Sequence, residues 1–275
     1  MLLACCLLAV LPGISCSAAR LPDAPKVTPA LPDKKPPDIV IGFVGGYVSH
    51  TNLHHAEVEL AARLRDAYPT GVYVEAFENR HYKDADKTIL NLLDVDHDGD
   101  LTQKEKDQAR IVLYGHSWGA AASIMLAREL QKQQIPVLLT IQVDSVDKFG
   151  WRDDTIPANV KQAANFYQTH GRLSGLKEIK AEDPGKTKIL GNFLFDYTKD
   201  PIVCNGYPWW DRYFAHAHTE IECDPKVWGQ VEDLVRKELP PVPGAETAAG
   251  EKKTGTEKSE QPNPKQEKKQ QPKPQ

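Results

Sequence analysis

The stretch Ala109–Met125, ARIVLYGHSWGAAASIM, decides the reading of this chain. A short apolar run meets a Gly-x-Ser-x-Gly pentapeptide, and an Ala-rich run without proline follows. Ile111, Val112, Leu113 and Tyr114 suit a parallel strand buried on both faces, while Ala120, Ala121, Ala122, Met125 and Leu126 continue in helix formers. The pattern predicts strand, sharp turn, helix, with Ser117 at the turn. A residue there is held in a strained backbone conformation with its hydroxyl out of the sheet, and Gly115 and Gly119 leave room for strand and helix to come close.

Working outward, strands and helices alternate. Ile39–Val44 (IVIGFV) reads as a strand that ends in Gly45-Gly46-Tyr47. Ala56–Tyr68 puts Val58, Leu60, Ala61 and Leu64 on one side of an amphipathic helix, which Pro69 and Gly71 end. Val72–Phe77 (VYVEAF) is the next strand. Beyond the Ser helix, Pro136–Val143 (PVLLTIQV) is a continuous apolar run that delivers Asp144 at its carboxyl end. A helix is expected around Asn159–Gln168 and a strand around Lys188–Tyr197. Tyr207, Trp209, Trp210, Tyr213 and Phe214 form an aromatic cluster that reads as core or as the lining of an acyl pocket. This alternation is the signature of an α/β fold, whose sites gather at the carboxyl ends of the strands.

The connection entering the Ser strand carries a second pattern, DVDHDGDLTQKE over Asp94–Glu105. Carboxylates stand at loop positions one, three and five, Gly99 at six, Asp100 at seven with its carbonyl, and Glu105 at twelve. The loop resembles that of an EF-hand and implies calcium on Asp94, Asp96, Asp98, Asp100 and Glu105. Thr88–Leu93 supplies an apolar entering helix, and Thr102 with Glu105 forms a capping box that starts the exiting one. A single loop of this kind suits a structural ion better than a sensor, the alternative being an acidic turn that merely tolerates metal.

Composition bounds the rest. The chain has 275 residues, 8% aromatics and a formal net charge of −4, which speaks against nucleic acid as a partner. Met1–Ala19 is apolar, short for a bilayer span, and followed by small residues, so a secretory signal is expected; a lipoprotein signal ending at Cys16 competes with it, although Gly13 stands where Leu is usual. Residues 20–37 read as a Pro-rich linker and residues 240–275, rich in Pro, Lys, Gln and Glu, as a disordered tail suited to envelope or cell-surface tethering. The folded unit expected is Asp38–Leu239, a monomer, secreted, periplasmic or envelope-associated. Its two remaining cysteines, Cys204 and Cys223, pair most simply as a disulfide, the alternative being two buried thiols.

The order Ser117, Asp144, then a late histidine, with GHSWG on a strand-turn-helix, resembles the α/β-hydrolase superfamily, and most closely its thioesterase and lipase-like branches. That resemblance implies a mostly parallel sheet with helices on both faces, the EF-hand-type segment being inserted at about 87–109. It also implies a Ser117–His218–Asp144 triad, an acyl-enzyme, and oxyanion donors from Gly46 or Tyr47 and from Trp118. His216 competes with His218 as base and Asp147 with Asp144 as acid. His218 is preferred because it lies beside Thr219-Glu220-Ile221 and just before the Asp224-Pro225 start of a final helix. His50, His54, His55 and His81 show no ligand-like spacing and are assigned to the surface or to helix faces. No long lid insertion is present, which favours a small or soluble acyl ester or thioester. The rival reading is a non-catalytic calcium-binding or cell-surface interaction module on a hydrolase scaffold.

Overall fold

Successive residues of a strand point to opposite faces of a sheet, and strand β1 (Asp38–Val44) uses both. Ile39, Ile41 and Phe43 enter one apolar cluster, Val40 and Val44 the other. In the computed structural model, which describes residues 35–147, 150–207, 209, 213 and 215–242, β1 pairs with β2 (Val72–Glu78) and β3 (Ile111–His116), followed by β4 (Val137–Val143), β6 (Val160–Tyr167) and β8 (Lys188–Leu194). The order is β2-β1-β3-β4-β6-β8, and every neighbouring pair is parallel. Two short strands, β5 (Thr155–Ile156) and β7 (Lys180–Ala181), pair apart from this sheet.

Helices cover both faces. On one side, α1 (Ala56–Ala67), α5 (His216–Cys223) and α6 (Pro225–Glu238) bury Leu60, Leu64, Ile221, Val231 and Val235 against Val112, Tyr114 and Ile141. On the other, α2 (Tyr82–Leu93) and α4 (Trp118–Lys132) bury Ile89, Leu93, Ile124 and Leu130 against Ile41, Ile111 and Leu113. The short α3 (Gln103–Asp107) follows the acidic loop. The chain leaves β1 toward β2 and returns across it to β3, so the direction of winding reverses between β1 and β3. That reversal opens a crevice at their carboxyl ends, where such folds form their sites. Among the described residues no helix is long and apolar enough to cross a membrane.

The mostly parallel sheet and the helices on both faces agree with the sequence-based expectation. One element does not. The segment around Asn159–Gln168, expected to be helical, is the strand β6. Its Gln and Ala residues favour helix locally, but Val160, Ala163, Ala164 and Phe166 all bury between β4 and β8, and tertiary burial overrides so weak a propensity. Its polar Asn165 is accommodated by donating to the Leu176 carbonyl at 2.9 Å and the Asn192 side chain at 3.1 Å. β8 stops at Leu194, short of Tyr197. The segments expected to be signal, linker and tail fall almost wholly outside the described residues, as do Cys16, Trp210 and Phe214.

Candidate active site

Ser117 lies between β3 and α4 with φ 56° and ψ −126°, a left-handed conformation that costs a non-glycine residue energy. The turn is clamped from three sides. The Ser117 N–H donates to the Val143 carbonyl at 3.0 Å, the Ser117 carbonyl accepts from Ala120 N–H at 3.1 Å, and a Cβ added to Gly119 would lie 2.1 Å from the Phe43 carbonyl oxygen. Only glycine lets α4 approach β1 so closely.

Asp144 follows β4 directly, is fully buried, and itself adopts φ 43°. Its Oδ1 accepts from Gly175 N–H at 2.8 Å and Gln168 N–H at 3.3 Å; its Oδ2 accepts from Gln168 Nε2 at 2.8 Å and from His218 Nδ1 at 2.6 Å. Burial acts to raise this carboxyl, but the bond and charge of His218, with Gln168 and His116 behind them, outweigh it and hold Asp144 below the ordinary carboxylate range. An ionised Asp144 can only accept, so His218 carries its hydrogen on Nδ1 and presents Nε2 as an acceptor. Ser117, His218, Gly45, Gly46 and Trp118 line one cavity of ≈ 290 Å³.

The competing assignments separate here. His216 is well exposed and lies 2.9 Å from Glu220, lining a neighbouring cleft instead. Asp147 accepts from the amides of Gly150 and Trp151 and so closes a turn. Gly46 has φ 46°, and its carbonyl accepts from Asn79 Nδ2 at 2.6 Å; Tyr47 is exposed and packs edge-on against Trp118 at 5.6 Å. Trp118 is the first residue of α4, where backbone amides point out of the helix. Contrary to the expectation of a loop, His218 lies in the first turn of α5. Cys204 and Cys223 are joined by a disulfide with Cα atoms 5.8 Å apart, so the helix bearing His218 is tied to the segment before it.

The acidic loop is only partly drawn together. Asp94, Asp96 and Asp98 bring carboxylate oxygens within 4.8 Å of one another, and Gly99 takes φ 89° at the turn. The amides of Asp98 and Gly99 donate to Asp94. Glu105 instead accepts from Val95 N–H at 3.1 Å and Thr102 N–H at 2.8 Å, completing the capping box of α3.

A buried polar cluster was missed by sequence reasoning. His55, assigned to the surface or a helix face, is buried at the head of α1; with His116 and Glu222 it lines the Ser117 cavity, and Glu57 is buried beside them. His55 Nδ1 meets Glu222 Oε1 at 2.5 Å; His116 Nδ1 lies 3.5 Å from Glu222 and 3.9 Å from Glu57. Neither oxygen of Glu57 meets a donor in hydrogen-bonding geometry, although the amides of Gly45 and of Glu57 itself lie near. Burial, then the charge of Glu222, push Glu57 well above the carboxylate range. Burial pushes the His116 imidazole down to about 4, against the pull of Glu222. The visible signal was HHAE over His54–Glu57 together with TEIEC over Thr219–Cys223, segments too far apart in the chain to be paired by inspection.

No family model and no curated protein matches the chain. Solved structures do. The chain is similar to an α/β serine hydrolase without a lid from Xanthomonas campestris (15% identity over 76% of this chain and 89% of that one, TM-score 0.39). It is similar also to the RedJ thioesterase from the prodiginine biosynthetic pathway in Streptomyces coelicolor (13%, 70% and 96%, 0.32). A third likeness is to a dienelactone hydrolase-like promiscuous phosphotriesterase from metagenomic libraries (12%, 75% and 89%, 0.38). No residue role passes from these proteins to this chain.

Proposed function

We propose that the chain is an exported serine hydrolase that cleaves a carboxylic ester or thioester through Ser117, His218 and Asp144, and that it binds calcium in the Asp94–Glu105 loop. The observation that carries the first part is the 2.6 Å bond from His218 Nδ1 to a buried, ionised Asp144, made at the cavity that strained Ser117 also lines. In this mechanism His218 Nε2 takes the Ser117 proton as Oγ attacks the acyl carbon. The amide of Trp118, with that of Gly46 or Tyr47, receives the oxyanion. Collapse breaks the bond to the alcohol or thiol, which leaves with the proton from His218. Water, deprotonated by the same imidazole, then attacks the acyl-enzyme and frees the acid and Ser117. A cleft of ≈ 470 Å³ lined by Ile202, Val203, Trp209 and Tyr213 shares Thr219 with the Ser117 cavity and suits an apolar acyl group. The Cys204–Cys223 disulfide supports an oxidising compartment, in the secreted, periplasmic or envelope-tethered settings, with Cys16 as the lipidation point in the last.

A fluorophosphonate probe tests the catalytic reading. Stoichiometric labelling of Ser117 in the folded, calcium-supplied protein is expected, and an unlabelled Ser117 would instead favour the non-catalytic module.

Three carboxylates within mutual reach, a glycine at the turn and a helix on either side support calcium in the loop. Binding would draw Glu105 off its helix cap. Calcium at about a hundred times its dissociation constant stabilises the folded state by about 2.7 kcal/mol. A rise of roughly 5–10 °C in the unfolding midpoint is therefore expected, absent in Asp98→Ala. Identical unfolding in chelator and in excess calcium would defeat this part alone.

A further inference from the structure

The proposed mechanism leaves His55, Glu57, His116 and Glu222 without a task. Their placement is costly. All four are buried, and the two carboxylates lie close enough to repel each other, yet among the described residues neither pairs with a lysine or arginine. Buried charge is retained in folded proteins when it is paired, hydrogen-bonded or bound to metal. His116 sharpens the point. Its Nε2 lies 3.2 Å from the His218 carbonyl, an acceptor, so Nε2 carries the hydrogen and the neutral ring turns the bare lone pair of Nδ1 toward Glu222 and Glu57. The lone pair of His116 Nδ1 and the oxygens of both carboxylates thus converge on one space, with His55 Nδ1 donating to Glu222 Oε1 at 2.5 Å beside it, and both oxygens of fully buried Glu57 are without a hydrogen-bond partner.

We infer that these four residues hold a divalent cation of the zinc class. In a tetrahedral shell of bonds near 2.1 Å, ligand atoms stand about 3.4 Å apart. The 3.5 and 3.9 Å separations at His116 Nδ1 fit that spacing, the ligand atoms of His55, Glu57 and Glu222 all lie within 4.8 Å of one another, and the 2.5 Å hydrogen bond of His55 Nδ1 to Glu222 Oε1 opens as the ion takes the place of its proton. Two imidazoles with two carboxylates suit zinc, or cobalt in its place, whereas calcium takes six to eight oxygens. The two carboxylate charges balance the ion. The site is distinct from the acidic loop, which offers oxygen alone.

Its ligands come from α1, β3 and α5, so a bound cation cross-links three elements over the crevice. His116 also donates to the backbone of His218. His116 is thereby a positioning residue: the ion fixes its ring, and the ring fixes the turn of α5 that bears the proposed base.

The test uses the full chain, stripped with chelator and titrated with zinc alone and with cobalt alone, in an Asp94→Ala/Asp98→Ala background that silences the loop. One zinc per chain and the intense visible absorption of tetrahedral cobalt are expected. Glu57→Gln, which keeps the volume of the side chain, should lose the cobalt bands and weaken zinc at least about tenfold. Should Glu57→Gln fail to fold, the cobalt spectrum of the parent decides. No zinc binding by the parent, weak octahedral bands, or zinc binding unchanged in a folded Glu57→Gln would each overturn the inference. None of these readings depends on turnover, so the outcome stands apart from the serine hydrolase proposal.

Discussion

Ser117→Ala is expected to lower p-nitrophenyl ester hydrolysis by about 10⁴-fold or more, with the loss in kcat and the unfolding midpoint nearly unchanged. The split follows from what the hydroxyl does. Ser117 is held by its backbone, through its amide on Val143 and its carbonyl on Ala120, and alanine keeps both bonds. Only the proposed nucleophile disappears. Residual hydrolysis near the parent rate would mean that another group, the His55–Glu222 pair first among them, attacks from the same cavity.

The second large effect falls on stability. Gly119→Ala would drive a Cβ to 2.1 Å from the Phe43 oxygen and 2.6 Å from its carbon. Both obstacles are backbone of the central strand β1, which β2 and β3 hold from either side, so nothing can turn aside. A destabilisation of about 3 kcal/mol or more is expected, or roughly 6–12 °C in midpoint for a domain of this size. Gly71→Ala is the control. Gly71 has φ 78° with nothing within 4 Å of the added carbon, and its cost is confined to about 1 kcal/mol of backbone strain. Equal costs at the two positions would mean that α4 can slide from the sheet and that the close approach is not what holds Ser117.

The elements legible in the sequence are those whose residues state their own environment. IVIGFV, IVLY and PVLLTIQV are predominantly apolar because β1, β3 and β4 are covered on both faces, and Asp144 and Ser117 stand out where those runs stop. VKQAANFY does not declare itself. Gln162 and Asn165 belong in a strand only because Glu238, Leu176 and Asn192 are there to receive them, and those partners come from elsewhere in the chain. The His–Glu cluster is hidden for the same reason. His55 and Glu222 meet at 2.5 Å across 167 positions, and a glutamate in the first turn of a helix ordinarily faces water. In AHAHTEIEC the mixture of polar and apolar residues obscured α5, so His218, singled out as the candidate base, was assigned to a loop and lies in a helix.

The parts of the candidate site come from widely separated positions, and this sets an order of events during synthesis. Ser117 and Asp144 emerge with β3 and β4, when the middle of the sheet can already pair. The imidazole that would join them arrives on α5, after every strand of the sheet, and α5 is linked by Cys223 to Cys204. A nascent chain therefore holds the proposed nucleophile and acid without the proposed base between them. On the proposed reading it cannot cleave esters in the compartment where it is made, and hydrolysis begins only after the last helices have docked.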